Sequence, residues 1–292
     1  MGMQRAELRQ LYFMHIPKTA GSTMRSIIAQ NYNSDNVLHI EQEELPGLSR
    51  RDASKNMESS LIHGHFFYGT HEYFPGKPTY FTFLRDPVDR FLSEYFFQQD
   101  YKGNIYKLLQ QEKLDLEGLI DYWVPYYDNI MTRFLSGATS EQCWEPVTEK
   151  HLEIATVVLK NKIDCFGLAE YFDESLLIMA KRYNWLPPLY IRKNVSRRKN
   201  VTEVIKEKIR KKQFFDSILY ERAYGIFKSR MEGEGELFRY ALKEIQTKLL
   251  ELHNNYDRKK HLMYRIKNGP DHKVIEAMHD AHAMRKYIES SR

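Results

Sequence analysis

One abrupt turn near the start of this chain constrains its fold more than any other feature. Four apolar residues, Leu11-Tyr12-Phe13-Met14, run into His15-Ile16-Pro17-Lys18-Thr19-Ala20-Gly21-Ser22-Thr23, and Met24, Ile27 and Ile28 then recur at helical spacing. A buried strand therefore ends in a loop of small and hydroxyl residues, and a helix opens at Ser22 or Thr23. The N–H groups of such a helix start, with one lysine and two or three hydroxyls, make a cradle for phosphate or sulfate oxygens. The plain alternative is a strand–helix turn whose lysine is solvated. The nucleoside-triphosphatase loop is excluded, because its Gly-x4-Gly-Lys-Ser/Thr order is absent and the lysine here precedes the glycine.

The alternation continues downstream. Leu61 to Phe67 reads as a short strand entering a loop, and Tyr80-Phe81-Thr82-Phe83-Leu84 as a strand bounded by Pro78 and Asp86-Pro87. Asp86 suits a helix N-cap and Pro87 the first helical position, with Val88, Phe91, Leu92 and Tyr95 on one face. Helical patterns surround Leu114 to Trp123 and Asp128 to Leu135. Cys165 to Leu168 reads as another strand, and Asp173 opens a helix carrying Leu176, Leu177 and Met179. Ser34 to Ser60 is polar and shows no strong period. Such alternation predicts an α/β fold with a mainly parallel central sheet. Two units are expected: a domain over residues 1–228 and a charge-rich helical extension over 229–292, broken at Gly269-Pro270.

Composition narrows the classes. Hydrophobic residues at 42% of a 292-residue chain supply an ample core, and the formal charge of +5 favours an anionic ligand. The aromatics show no interleaving with basic residues, which argues against nucleic acid. Two cysteines, Cys143 and Cys165, make neither a disulfide framework nor a thiolate metal site, so a reducing compartment is expected. The first residues carry charge where a signal peptide needs an apolar run, and no segment is apolar enough to span a bilayer. The expectation is a soluble, cytoplasmic protein.

A second anion element closes the Tyr80–Leu84 strand: Leu84-Arg85-Asp86-Pro87-Val88-Asp89-Arg90-Phe91-Leu92-Ser93. Arg85 at a strand's carboxyl edge can fork onto a phosphate, and Ser93, two turns into the helix, adds a hydroxyl. The bland alternative for Arg85 is a surface pair with Asp89. Both anion elements face one crevice in an open α/β sheet, which suits a nucleoside bearing phosphates at both ends.

His15 to Thr23 resembles the 5′-phosphosulfate loop of sulfotransferases that use 3′-phosphoadenosine-5′-phosphosulfate (PAPS), and Leu84 to Ser93 resembles their 3′-phosphate motif. The similarity is greatest to the carbohydrate branch that includes the heparan sulfate 2-O- and 6-O-sulfotransferases, and it covers roughly residues 10 to 228. Further echoes are Asn129 to Gly137 and Phe166 to Leu176. The resemblance implies a P-loop-like three-layer fold and PAPS as donor, with no metal. It implies that Lys18 neutralises the leaving oxygen, that Thr19, Ala20, Gly21, Ser22 and Thr23 hold the 5′-phosphate and sulfonate, and that Arg85 and Ser93 hold the 3′-phosphate.

An attacking hydroxyl must lose its proton, and histidine is a suitable base. His63-Gly64-His65 resembles the His-Gly-His segment of the 2-O type, which assigns His65 as base and His63 as its support; both could equally line the pocket as structural residues. Metal binding by His63, His65 and His71 lacks a further ligand at familiar spacing, and His279 and His282 read as a polar helix face. Between Pro187 and Lys212 the chain turns basic. Lys193, Asn194 and Ser196 are candidates to close over the nucleotide, and Arg197, with its basic neighbours, to attract an acidic acceptor; a solvated helix face is the alternative from Lys206 onward. Arg133 is a candidate substrate or cofactor contact, with helix-surface pairing as its alternative.

The expected activity is in-line transfer of sulfonate from PAPS to an acceptor hydroxyl, on a carbohydrate or glycolipid by the resemblance. The rivals are a kinase with a degenerate phosphate loop, which would require magnesium, and an inactive module that binds anionic polymers. The helical extension is a candidate arm for self-association, with covering the site or packing on its own domain as the alternatives.

Overall fold

The computed structural model describes residues 9–47, 60–137, 145–190 and 201–255. Its elements run β1 (Arg9–Met14), α1 (Gly21–Asn31), β2 (Val37–His39), β3 (Leu61–Gly64), β4 (Lys77–Leu84), α2 (Pro87–Tyr101), α3 (Asn104–Gln111), α4 (Leu116–Asp121), α5 (Ile130–Ser136), α6 (Glu149–Asn161), β5 (Ile163–Leu168), α7 (Phe172–Tyr183), α8 (Glu203–Lys212), α9 (Phe214–Glu232) and α10 (Glu236–Asn255).

All five strands are parallel and lie in the order β2-β3-β1-β4-β5, with helices flanking the sheet, as the alternating pattern predicts. The central position of β1 follows from its composition. Tyr12, Phe13 and Met14 are all buried, and Phe13 stacks on Phe81 of β4 at 5.0 Å between ring centroids. Continuous apolar runs of this kind suit strands covered on both faces. Thr82 joins the same pair of strands by donating its hydroxyl to the Met14 carbonyl at 2.6 Å. Pro78, expected to bound β4, lies inside it opposite Gln10, near the strand's start, where a missing N–H is tolerated.

Four elements escape the sequence patterns, the first being α3, a short helix that precedes the pattern read from Leu114 onward. β2 falls in the stretch that shows no period, because it is three residues long at the sheet edge. α6 joins the core through Leu152, Ala155, Val158 and Leu159. α9 runs through the boundary expected after residue 228. Beyond it, Phe238, Ile245, Leu249 and Leu252 of α10 enter the main hydrophobic core, and Gln246 of α10 donates to Asp173 of α7. A second, smaller core lies under α2, α3, α4 and α8, built on Val88, Phe91, Leu109, Leu119, Tyr127 and Ile209. Among the described residues no helix is long and apolar enough to cross a membrane.

Candidate active site

The loop after β1 is bent by two residues in the left-handed region, Lys18 at φ 67° and Ala20 at φ 76°. Neither is glycine, so each conformation costs energy that the surrounding contacts must hold in place. Thr19 supplies one such contact: it is fully buried, and its hydroxyl donates to the Ile16 carbonyl at 2.8 Å. α1 then starts at Gly21 after Ala20, whose side chain cannot cap it, and its first turn holds no acidic residue. The positive end of such a helix favours an anion. Gly21 is required for a reason the sequence did not disclose. A Cβ there would lie 1.7 Å from His15 Nε2, because the buried imidazole packs directly on the helix start. Within the cradle Thr23 is also buried, whereas Lys18, Ala20 and Ser22 are half-buried.

Arg85 enters the same loop from the end of β4, donating through Nη1 to the Lys18 carbonyl at 3.1 Å. α2 begins beside it. Asp86 accepts from the Asp89 N–H at 2.9 Å, and Pro87 occupies the first turn, as the capping pattern predicts. Glu170 fastens this corner by accepting from the Asp86 N–H and from the Tyr220 hydroxyl. Ser93 lies half-buried two turns along α2. One turn further, Phe97 carries the Lys18 ammonium over its ring, 3.7 Å from the centroid.

The histidines form a third group. The His65 ring lies against His15, 4.2 Å between centroids, and its Nδ1 is 2.7 Å from the His15 carbonyl oxygen. A carbonyl only accepts, so Nδ1 carries the hydrogen and neutral His65 keeps Nε2 unprotonated. His63 pairs in register with His39 of β2, their Nδ1 atoms 3.4 Å apart, and His39 Nε2 lies 2.9 Å from Glu41 Oε1. With Glu41 ionised, His39 donates through Nε2 and accepts at Nδ1, so His63 donates through Nδ1 and its Nε2 is also unprotonated. Burial pushes the His63 pKa down to about 3 and holds His15 well below the ordinary range. Burial also lowers His65, opposed by the Glu41 charge and by the bond to the His15 carbonyl. Gly64, between the two histidines, sits at φ 154°, and a Cβ there would meet the Ile40 carbonyl oxygen at 1.7 Å.

Lys18 to Thr23, Arg85, His65 and His63 are therefore gathered at the carboxyl ends of β1, β3 and β4, with Ser93 on the helix that follows β4. Arg133 is turned elsewhere. It is 2% exposed, and its guanidinium bonds the Asp128 carboxylate at 3.0 Å and the Glu145 carbonyl at 2.8 Å. His71 is occupied by the Tyr80 hydroxyl, away from the His63 pair. Lys193, Asn194, Ser196 and Arg197 lie outside the described residues, as do Cys143, His279 and His282. Among the described residues no group of three or more histidine, cysteine or carboxylate side chains is placed to hold a metal. Sequence reasoning missed His39, Glu41 and Phe97. The period-two pair His39/Glu41 carried no readable signal on its own, because its register against His63 is set only in the folded sheet.

The chain shares 24% identity over 190 residues with heparan sulfate 2-O-sulfotransferase 1 of Gallus gallus and 23% over 190 with the Homo sapiens protein of the same name, in each case 58% of this chain and 53% of the relative. It shares 28% over 191 residues with the heparin sulfate O-sulfotransferase of Drosophila melanogaster, 58% of this chain and 54% of the relative. It thus spans about half the length of the curated relatives it matches. The family described as "Sulfotransferase family" matches residues 3–241, which takes in the bent loop, the Arg85 corner, the histidine strand and the start of α10. On that match, the chain belongs to the sulfotransferase family.

Proposed function

We propose that this protein transfers a sulfonate group from PAPS to a hydroxyl of a carbohydrate or glycoconjugate, with His65 as the base. The observation that carries the reading is the attachment of three chemical groups to one turn. The His15 carbonyl holds the His65 imidazole, the Lys18 carbonyl holds the Arg85 guanidinium, and the Lys18 side chain springs from the same loop. The residues fit a donor with phosphates at both ends of a nucleoside, since a helix start without a first-turn acid and an arginine at the next strand's end offer two separate anion sites.

When bound, PAPS supplies the sulfonate and a bisphosphate leaving group. The α1 N-terminus, Ser22 and Lys18 hold the 5′ end, and Arg85 with Ser93 the 3′-phosphate. Lys18 stabilises the electron pair that collects on the 5′-phosphate oxygen as its bond to sulfur breaks. His65 Nε2 accepts the proton released by the acceptor hydroxyl as its oxygen bonds to sulfur. Fixed cations on the chain carry the charge neutralisation. The carbohydrate acceptor is supported by the heparan and heparin sulfate sulfotransferases among the relatives and by family membership.

Thermal unfolding with adenosine 3′,5′-bisphosphate, against ATP with magnesium, tests the donor site. A ligand at 100 times its Kd adds about 2.7 kcal/mol and raises the melting temperature visibly. Arg85→Ala is expected to weaken the bisphosphate roughly 10- to 100-fold, the loss of about 1.5–3 kcal/mol of charged hydrogen bonding. Stabilisation by ATP with magnesium alone would replace this reading with a kinase. Bisphosphate binding with no turnover of PAPS on any sugar acceptor would leave a binding module.

A further inference from the structure

Beside the base stands a carboxylate that the proposed reaction has not yet used. β2 and β3 are parallel, with His39 opposite His63, so the next in-phase pair along the two chains is Glu41 and His65. The pairing continues past the strands: Ile40 donates to the His63 carbonyl at 2.9 Å and Gln42 to the His65 carbonyl at 3.0 Å. Glu41 lies between these two bonds. Its carboxylate accepts from His39 Nε2 at 2.9 Å, and it stands beside His65, whose imidazolium its charge favours. Its own N–H is taken by Glu44, which anchors the backbone at this point at 2.7 Å.

We propose that Glu41 is the electrostatic partner of the His65 base, providing the negative charge that faces the imidazolium formed when the acceptor proton arrives. The inference rests on His65 being the base. The His15 carbonyl holds the His65 Nδ1–H and so fixes which nitrogen is unprotonated, while the Gln42 N–H on the His65 carbonyl keeps the Glu41 backbone alongside. The other charged or titratable groups facing it are His15 from β1, Arg25 from α1, His39 from β2 and His63 from β3. Protonated histidines and Arg25 all disfavour a charged His65, so Glu41 is the one anion in this set. A carboxylate in that place lowers the cost of moving a proton onto the base without touching the reacting atoms.

The test uses the full chain and three variants. Glu41→Gln keeps the shape and removes the charge, Glu41→Asp keeps the charge, and His65→Asn removes the base and identifies its resonances. Histidine titrations by NMR and pH profiles of kcat are read together, with bisphosphate affinity reporting that the fold is intact. Glu41→Gln is expected to bind the bisphosphate within twofold of the parent and to lose about 10- to 100-fold in kcat. Its His65 midpoint and the acidic limb of the profile should both fall by roughly 0.5–1 unit, because the base must be neutral and its charged form has lost its partner. Glu41→Asp should recover much of both effects. An unchanged His65 midpoint and unchanged kcat in Glu41→Gln overturn the proposal even where His65→Asn is inactive. Full turnover in His65→Asn overturns the base assignment instead, which separates the two failures.

Discussion

His63 and His15 are buried as neutral imidazoles, and that places a proton-linked weakness inside the site. An unfolded histidine titrates near 6.5, whereas His63 in the fold titrates at about 3. Between those values the unfolded chain binds the extra proton, so stability is fully present above pH ~6.5 and falls as the pH drops toward 3. The slope is about 1.4 kcal/mol per pH unit for His63 alone, with His15 shifted in the same direction. Urea unfolding should therefore show a loss of at least about 2 kcal/mol between pH 6.5 and 5.0, and a flat profile would contradict the neutral burial of these rings. Single residues were legible where chemistry sits beside a strand end: Lys18, Arg85 and His65 all follow apolar runs that announce themselves. His39 and Glu41 were not legible, because a strand of three residues has too few turns of its period to stand out. Their meaning comes from registration against β3, which sequence alone does not carry.

Among the elements, α5 shows how a familiar motif can be structural. Asn129 to Gly137 reads from sequence as an echo of a catalytic family, and Arg133 within it as a ligand contact. In the structure Asp216 of α9 reaches over and accepts from the N–H groups of Met131 and Thr132 and from the Thr132 hydroxyl, capping α5 from another helix. Asn129 returns the contact by accepting the Asp216 N–H at 3.0 Å. Asp216 is fully buried; burial raises its pKa, while the Arg90 charge and its three donors oppose the rise. Asp216→Ala leaves those donors without an acceptor and should cost about 3–5 kcal/mol, measured by urea unfolding. Asp216→Asn, which retains an acceptor, should cost less, and equal losses in the two variants would show that capping is not what Asp216 supplies. The helix itself was foreseen from its pattern; its partner, some eighty residues later, left no local trace.

At the scale of the whole molecule, the parallel order β3-β1-β4 sets the spacing of the chemistry. Adjacent strands lie about 4.8 Å apart, so the histidine strand, the lysine loop and the Arg85 strand span roughly 10 Å at the sheet's carboxyl edge. That alternation was the most legible property of the chain, because continuous apolar runs between helices leave few other folds. The same order has a consequence for the timing of assembly. β1 pairs with β3 across some fifty residues and with β4 across nearly seventy, and neither pairing is local. Distant pairings form late and together during folding. Competence for the bisphosphate is therefore expected to emerge in one step with the global fold: refolding followed by ligand binding and by tryptophan fluorescence should give the same rate constant. A faster binding phase would mean that the lysine loop is shaped before its neighbouring strands dock. On the order drawn here, a half-folded chain has not yet brought the lysine loop, the Arg85 corner and the histidine strand together, so its site is expected to be blank rather than weakly receptive.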